Sequence, residues 1–302
     1  MTARILRLAL AVELLFYAFV TGCAGSELGW SEAQSAGAML LLMLGTRAGI
    51  IAVTFAYGWT YRSPRPAGLQ IGVASALRMM LAEYAAFVVL FVVIQPFERW
   101  FMGAERVAPP AKGEFPILLV HGYCCNRGVW WRLRRRLEQA GFCVATVNLE
   151  PMYGSIDDYV EPLRRRIEAL YAETGAQRVV LVAHSMGGMA CRAYLARHGA
   201  ARVAKLVTLG SPHHGSEIAR IGLGRNARQV EPGSAWLRAL EHNGLPAGLP
   251  LACIYSAHDN FVMPQDSNRL EQADNRPLAG VGHLAMMFSR RIAAVLVAAL
   301  KG

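Results

Sequence analysis

The stretch Val179–Ala190, with the sequence VVLVAHSMGGMA, decides the fold that this chain is predicted to adopt. It begins with an apolar, mostly β-branched run, which is typical of a strand buried in a parallel sheet. A tight turn with Ser185 at its apex follows, and the composition after the turn is that of a helix. A strand, a sharp turn with a serine and a helix together form the arrangement that presents a nucleophilic hydroxyl. Ala183 and Gly187 supply the small residues that this turn needs two positions before and after the serine.

Small residues around a serine are also common in ordinary turns. Whether this segment presents a nucleophile therefore depends on what the rest of the chain contains. After residue 114, short apolar runs alternate with helical patterns. The predicted strands are Pro116–Val120, Cys143–Asn148, Arg178–Ala183, Val203–Leu209, Leu251–Ser256 and Pro277–Val281. The predicted helices are Arg127–Ala140, Ile156–Thr174, Met186–His198, Gly233–His242 and Leu284–Lys301. This alternation predicts an α/β domain with a mostly parallel sheet of about six strands, covered by helices on both faces.

Residues that could serve as nucleophile, acid, base or backbone N–H donor directly follow four of these strands. Tyr123 comes after the first strand in His-Gly-Tyr, Ser185 and Met186 after the third, Asp259 after the fifth and His283 after the last. In open α/β sheets the ligand site lies outside the carboxyl ends of the strands. We therefore expect these residues to share one site.

A serine hydroxyl becomes an effective nucleophile only when a base removes its proton. His283 can act as that base, and Asp259 can hold the imidazole in the required tautomer. The backbone N–H groups of Tyr123 and Met186 are candidate donors to a developing oxyanion, since Met186 opens a helix. The order serine, aspartate, histidine along the chain is the order found in α/β-hydrolases.

The segments LLVHGY, VAHSMGG, TLGSPHHGS, SAHDNFVMP and GVGHLAMM resemble those of bacterial triacylglycerol lipases and esterases of the α/β-hydrolase superfamily. The resemblance covers Phe115 to Leu300. It implies an α/β-hydrolase fold, Ser185 as nucleophile with Asp259 and His283, and an oxyanion hole from Tyr123 and Met186. It further implies a carboxylic-ester substrate, lipid-like in its acyl group, with no cofactor and no metal. The sequence departs from the pattern at Ala183, which replaces a glycine, and at Cys124-Cys125 beside the oxyanion loop.

Other residues and segments are candidates for a metal site, for the acid or for a lid. His213 and His214 suggest a metal, but they lack acidic or cysteine partners nearby, and zinc needs three or four ligands. Asp157 and Asp158 are rival acids, which we interpret as caps at the start of a helix. The segment Ser216–Pro250 is either a mobile lid or an ordinary surface connection.

The first hundred residues are far more apolar than the rest. The whole chain is 54% hydrophobic and 17% charged with a mean hydropathy of +0.28, which is high for a soluble protein. The excess lies in three stretches near the length that crosses a bilayer. We therefore predict a membrane region at 1–97, with helices at about 5–21, 37–59 and 76–97, a linker at 98–114 and a catalytic domain at 115–302.

Flanking cations predict the orientation of the three helices. Arg4 and Arg7 precede the first, the loop after it has no Lys or Arg, and the next loop carries Arg62 and Arg65. The positive-inside rule then places the N-terminus in the cytoplasm. Three crossings leave the catalytic domain on the periplasmic side of a bacterial inner membrane.

Three charged residues, Glu13, Arg47 and Glu83, lie inside the predicted spans. Glu13 and Arg47 are expected to pair with one another. Glu13 also argues against the alternative that Val20-Thr21-Gly22-Cys23 is a lipobox that ends a cleaved signal peptide. Cleavage there would still leave two crossings and the same side for the catalytic domain.

The formal net charge of +10 comes from arginine-rich helices, which we interpret as solvated faces that anionic membrane lipids attract. Nucleic-acid binding is not expected, since no recognised module accompanies the arginines. The function predicted is a membrane-anchored serine esterase or lipase. Two alternatives stay open: an acyltransferase or thioesterase with the same three residues, and a non-catalytic domain that binds a lipid or a partner. The sequence does not predict the oligomeric state.

Overall fold

The computed structural model describes residues 1–105, 107, 109–111 and 113–302, and its centre is a six-stranded parallel sheet. The strands are β1 (Ile117–Val120), β2 (Val144–Val147), β3 (Val179–His184), β4 (Val203–Leu209), β5 (Leu251–Ser256) and β6 (Asp274–Leu278). Their order across the sheet is β2-β1-β3-β4-β5-β6, and every neighbouring pair is parallel. The predicted mostly parallel sheet is confirmed.

One strand lies elsewhere than predicted. β6 begins at Asp274, three residues before the predicted Pro277–Val281. It is an edge strand with polar and half-exposed residues, so it lacks the apolar run by which the other strands were recognised.

The helices of this region cover both faces of the sheet. They are α5 (Trp131–Gln139), α6 (Val160–Thr174), α7 (Met186–His198), α8 (Arg225–Gln229), α9 (Ala235–Asn243) and α10 (Arg290–Lys301). Alternate strand residues separate two cores. Leu118 and Leu181 pack with α6, α7 and α9, whereas Leu119 and Val182 pack with α5 and α10 on the other face.

Three long apolar helices precede the sheet, as predicted, and each is long and apolar enough to cross a membrane. They are α1 (Thr2–Leu28), α2 (Glu32–Thr60) and α3 (Val73–Val88), which continues as a π-helical segment to Ile94. The first two helices extend further at both ends than the predicted 5–21 and 37–59, and the third begins three residues before the predicted 76–97.

Helices α1 and α2 form an antiparallel hairpin. The Arg47 guanidinium donates to both carboxylate oxygens of Glu13 at 2.6 Å, which confirms the predicted pair. Tyr17 adds a hydroxyl donor to the same carboxylate at 2.6 Å. A bidentate pair with an added donor satisfies most of the polar atoms that an apolar bundle would otherwise leave unpaired.

Helix α3 packs on the sheet domain and contributes to its core. Ala86, Leu90 and Ile94 belong to the same buried cluster as Leu119 and Trp130. The chain then forms the short helix α4 (Glu98–Met102), and the buried Glu98 pairs with Arg127 at 3.3 Å. The predicted linker 98–114 therefore starts as a packed helix, and its residues Arg106, Ala108 and Lys112 lie outside the described residues.

Candidate active site

Ser185 stands at a strained turn between β3 and α7. Its backbone has φ 56° and ψ −133°, in a region that non-glycine residues rarely adopt. The turn is tight because α7 presses against β1. A Cβ atom at Gly187 would lie 2.4 Å from the Val120 carbonyl oxygen, and one at Gly188 would lie 2.3 Å from Ser211 Oγ. Glycine is therefore needed at both positions, whereas Ala183 is buried within the strand.

The loop after β1 runs directly beside the serine. A Cβ at Gly122 would lie 2.7 Å from the Ser185 Cβ, so only glycine permits this approach. His121 holds the loop in place: its Nε2 accepts from the Leu149 N–H at 2.9 Å, which leaves Nδ1 to donate to the Gly122 carbonyl at 3.0 Å. Burial lowers the pKa of His121 to about 4, so the ring is neutral, as these two hydrogen bonds require.

These two loops meet at the point where the order of the strands across the sheet reverses. The chain runs from β1 outward to β2 and then returns across β1 to β3, so that β1 and β3 are neighbours. Loops after such a pair diverge and leave a crevice. Tyr123 and Ser185 both lie at this crevice, and Met186 begins α7, whose first amides have no acceptor within the helix.

Asp259 and His283 are joined by a hydrogen bond. His283 Nδ1 and Asp259 Oδ2 are 2.9 Å apart, and both side chains are buried. The other carboxylate oxygen of Asp259 accepts the N–H groups of Phe261 and Val262, each at 2.8 Å. The carboxylate is thereby fixed in one orientation toward the imidazole.

Two opposing effects set the pKa of His283. Burial lowers this pKa, but the charge and hydrogen bond of Asp259, and then the charge of Glu83, outweigh burial and raise it above its usual value. His184 lies against it with ring centroids 4.5 Å apart. Burial, and then the neighbouring His283, lower the pKa of His184 well below its usual value, so this second histidine adds no positive charge.

The structure brings the predicted residues to one edge of the sheet. Ser185 lies beside the Tyr123 loop, and its N–H donates to the Leu209 carbonyl at 2.9 Å. The next residue, Gly210, contacts the other pair, since a Cβ there would lie 3.1 Å from Asp259 Oδ2 and 3.2 Å from His283 Nδ1. The chemical roles assigned to these five residues stay predictions.

The rival residues lie elsewhere and have other partners. His213 contacts Thr208 Oγ1 at 3.1 Å inside the core, whereas His214 contacts Glu241 at 2.9 Å near the surface. Within the described part of the chain, no three His, Cys, Asp or Glu side chains cluster as a metal site would require. Asp158 accepts from the N–H of Ser155, the residue that caps the helical turn, so this aspartate serves the cap as expected.

The segment 216–250 reaches the loop that carries Tyr123. The Tyr123 hydroxyl donates to the Leu223 carbonyl at 2.7 Å and accepts from the Leu223 N–H at 2.9 Å. Ile221 and Leu223 are exposed apolar side chains on the same segment.

The loops of Tyr123, Asp259 and His283 are held by contacts with the N-terminal helices, and these contacts were not predicted from the sequence. Glu83 accepts the N–H groups of Leu284 and Ala285, next to His283. Asn260 accepts the His283 N–H at 3.1 Å and donates to Thr54 at 2.8 Å. Gln95 accepts the Asn126 N–H at 2.8 Å. A charged residue inside an apolar helix was the only available signal, and it marked Glu83.

Comparisons with known proteins agree with this architecture. Residues 116–231 match the sequence profile of the α/β-hydrolase fold. Triacylglycerol lipases of Pseudarthrobacter phenanthrenivorans and Burkholderia plantarii are each 33% identical over 119 residues, which are 36% of this chain and 36% and 32% of the two lipases. The chain thus spans about a third of the length of these relatives.

Among solved structures, Aspergillus fumigatus lipase B superposes with a TM-score of 0.60 at 17% identity, covering 100% of this chain and 81% of that one. This likeness concerns the fold alone. The six-stranded parallel sheet, the profile match over residues 116–231 and this structural likeness show that the chain has an α/β-hydrolase fold, and triacylglycerol lipases are among the proteins that it resembles.

Proposed function

We propose that this protein is a membrane-anchored serine hydrolase that cleaves carboxylic esters, with lipid-like acyl esters as substrates. The observation that carries the proposal is Ser185 at φ 56°, directly after His184, whose ring lies against His283 of the buried, hydrogen-bonded Asp259–His283 pair. A strained serine beside an oriented histidine suits acyl transfer. The names of the lipase relatives support esters as the substrate class.

In this proposal, His283 Nε2 takes the hydroxyl proton while Ser185 Oγ attacks the ester carbonyl. The carbonyl oxygen becomes negatively charged and accepts hydrogen bonds from the N–H groups of Tyr123 and Met186. When the ester C–O bond breaks, His283 returns the proton to the departing alcohol, and the acyl group stays on Ser185. A water molecule, deprotonated by His283, then releases the carboxylic acid and restores the serine.

The test is labelling of the purified protein with a fluorophosphonate probe, with the modified residue located by mass spectrometry. We expect the label on Ser185, its loss in Ser185→Ala and His283→Ala, and a fall in ester turnover of at least about 1,000-fold in Ser185→Ala. Ser234→Ala is the matched control, since this serine caps α9 and should keep label and turnover. Turnover near the wild-type rate in Ser185→Ala would refute the proposal.

Addition of a second alcohol or thiol to the assay distinguishes hydrolysis from transfer. Free acid as the main product supports an esterase. An acylated alcohol or thiol as the main product would make the protein an acyltransferase that uses the same residues.

The membrane anchor is part of the proposal, and we assign it to the α1–α2 hairpin. This hairpin carries most of the exposed apolar side chains of the N-terminal region, among them Leu8, Leu15, Phe19, Leu41 and Ile50. A helix of the length of α1, 27 residues, extends about 40 Å, which is enough to cross a bilayer.

Helix α3 is a poorer candidate for a crossing. Its contacts with the hydrolase run from Met79 near Val281 to Ile94 near Gly128. A helix that leaves a domain to cross a bilayer cannot pack on that domain along its whole length. We therefore propose that α3 lies against the hydrolase, with its other, exposed apolar face of Val73, Leu77 and Leu81 toward lipid.

Two crossings change the predicted side of the catalytic domain. Three crossings, as predicted from the sequence, would place this domain on the periplasmic side, whereas two place it on the side of the N-terminus. Both ends of the hairpin contact the hydrolase: the Met1 ammonium pairs with Glu150 at 2.6 Å, and the Ser63 N–H donates to Gln265 at 3.0 Å. These contacts favour the hydrolase on the same side as the N-terminus.

The charges at that end of the hairpin support the cytoplasmic side. Arg4, Arg7, Arg62 and Arg65 all belong to it, and such cations stay in the cytoplasm. Trp100, which is 82% exposed, shares a surface cleft with Arg4 and Arg7. Tryptophan is enriched at the level of lipid headgroups, so this cleft suits the membrane interface.

A further inference from the structure

We propose that Glu83, on the apolar helix α3, is a positioning residue for the catalytic histidine, so that the N-terminal region forms part of the active site. The inference rests on the proposed function, since it concerns the loop that carries His283. It gives α3 a role in positioning a catalytic side chain, in addition to its packing against the hydrolase.

The Glu83 carboxyl group binds the backbone of the histidine loop with both oxygens. Oε1 accepts the Leu284 N–H at 2.9 Å, and Oε2 accepts the Ala285 N–H at 2.8 Å. The side chain is fully buried. Because the two donors are consecutive residues, the carboxyl group fixes the orientation of the peptide plane as well as its place.

The same carboxyl group also limits the loop on the other side of the histidine. A Cβ at Gly282 would lie 2.4 Å from Glu83 Oε2 and 2.7 Å from its carboxyl carbon. Gly282, directly before His283, contacts Glu83, and Leu284 and Ala285, directly after it, donate to Glu83. A loop held at residues 282, 284 and 285 has little freedom to shift the side chain of His283.

A second contact from the N-terminal helices holds the same histidine. The His283 N–H donates to Asn260 Oδ1, and Asn260 Nδ2 donates to Thr54 Oγ1 on α2. Gly58 on the same helix approaches closely, since a Cβ there would lie 3.4 Å from the Asn260 Cα. Two helices of the N-terminal region therefore meet the loops of both Asp259 and His283.

Gln95, directly after the π-helical segment that continues α3, makes a similar contact. The Gln95 side-chain oxygen accepts the Asn126 N–H at 2.8 Å, and its carbonyl accepts from Asn126 Nδ2 at 2.8 Å. Asn126 lies three residues after Tyr123 along the chain. Buried polar side chains at 83 and 95 thus bind two loops of the site, whereas a helix that served only as an anchor would need neither.

The test compares ester turnover by wild type, Glu83→Gln and Glu83→Asp in detergent micelles with a short-chain soluble ester. Glutamine keeps one acceptor but faces the second N–H with its own donor group, so the loop must move. We expect kcat to fall about 10- to 100-fold, because a misplacement of about 1 Å is that costly, while KM changes by less than about twofold.

The pH profile separates this role from a merely structural one. The groups that face His283 are Asp259, Glu83 and the neutral His184. Burial raises the pKa of Glu83 to about 7 against the effect of its two N–H donors, so its negative charge forms over the pH range in which His283 loses its proton. Glu83→Gln removes this charge, which lowers the pKa of His283, so the acid limb of kcat/KM should move to lower pH. Glu83→Asp keeps the carboxylate, so its acid limb should stay in place although kcat falls.

Glu13→Gln is the matched control, since it makes the same change in a helix of the same region. Glu13 bonds Arg47 and Tyr17. We expect normal kcat and pH profile there, even if melting temperature falls.

The outcomes are distinct. A wild-type protein that carries no fluorophosphonate label and turns over no ester would refute the proposed function. An active wild type with kcat of Glu83→Gln within about twofold, or with an unmoved acid limb, would refute only the positioning role. If Glu83→Gln fails to fold, wild-type kcat in Glu83→Asp refutes it equally, since the shorter side chain cannot hold both N–H groups in place.

Discussion

At the scale of single residues, Asp259 has two separate duties in the proposed site. One carboxylate oxygen accepts two backbone N–H groups of its own loop, and the other meets His283 Nδ1 at 2.9 Å. The first duty orients the carboxylate, and the second selects the imidazole tautomer with a free Nε2. The second also raises the pKa of His283 against the effect of burial.

Asp259→Asn should therefore change the rate and the pH profile together. A general base must be neutral, so kcat/KM rises with pH through the pKa of His283. Without the carboxylate this pKa falls, and the acid limb should move to lower pH. The plateau should fall by roughly 1,000- to 10,000-fold, because asparagine favours the wrong tautomer.

The control for this experiment is Asp157→Asn. Asp157 accepts from Trp236 Nε1 at 3.0 Å near a helix start, away from His283. It should leave the acid limb unchanged. A limb that moves equally in both variants would show that Asp259 is not the specific partner.

At the scale of elements, α3 has two apolar faces with different surroundings. Ala86 and, in the π-helical continuation of α3, Leu90 are buried in the hydrolase core, whereas Leu77 and Leu81 are exposed. Both faces are apolar, so hydropathy cannot distinguish a helix surrounded by lipid from one that carries part of a protein core. Hydropathy therefore predicts α3 as a third candidate crossing, whereas we propose that it lies against the hydrolase.

Leucine truncation on the two faces tests this account. Leu90→Ala should lower the free energy of unfolding by about 2–5 kcal/mol, because it leaves a cavity in a fully buried site. Leu81→Ala, at a side chain that is 66% exposed, should change it by less than about 0.5 kcal/mol. Thermal or denaturant unfolding of the sheet domain in detergent gives both values. Equal effects would mean that α3 is not part of the hydrolase core.

At the scale of the whole molecule, the proposed topology places the active site and the N-terminus on one side of the membrane. Met1, Thr2 and Ser63 contact the hydrolase from the two ends of the α1–α2 hairpin. The Gly29–Ser31 turn, at the opposite end of the hairpin, would then face the other side.

Protease sites inserted at Gly29 and after Gly248, both exposed, test this arrangement. In intact spheroplasts the external protease should cut at Gly29 and leave the site after Gly248 intact. Inverted vesicles should give the opposite pattern. Cleavage after Gly248 in intact spheroplasts would restore the periplasmic orientation that three crossings predict.

The sequence by itself determined the features that local patterns encode. Five of the six strands, the helix after Ser185 and the order of Ser185, Asp259 and His283 follow from apolar runs and turns between near neighbours. The Glu13–Arg47 pair was predictable as well, because a buried charge in an apolar helix requires a partner.

Only the tertiary structure decided which groups Glu83 contacts and what α3 packs against. The N–H groups that Glu83 accepts lie about 200 residues further along the chain, and no periodicity connects positions so far apart. The polar edge strand β6 was misplaced for a related reason, since its partner β5, not its own composition, makes it a strand. Local patterns fix elements, whereas contacts between distant segments fix which face of an apolar helix is buried against protein.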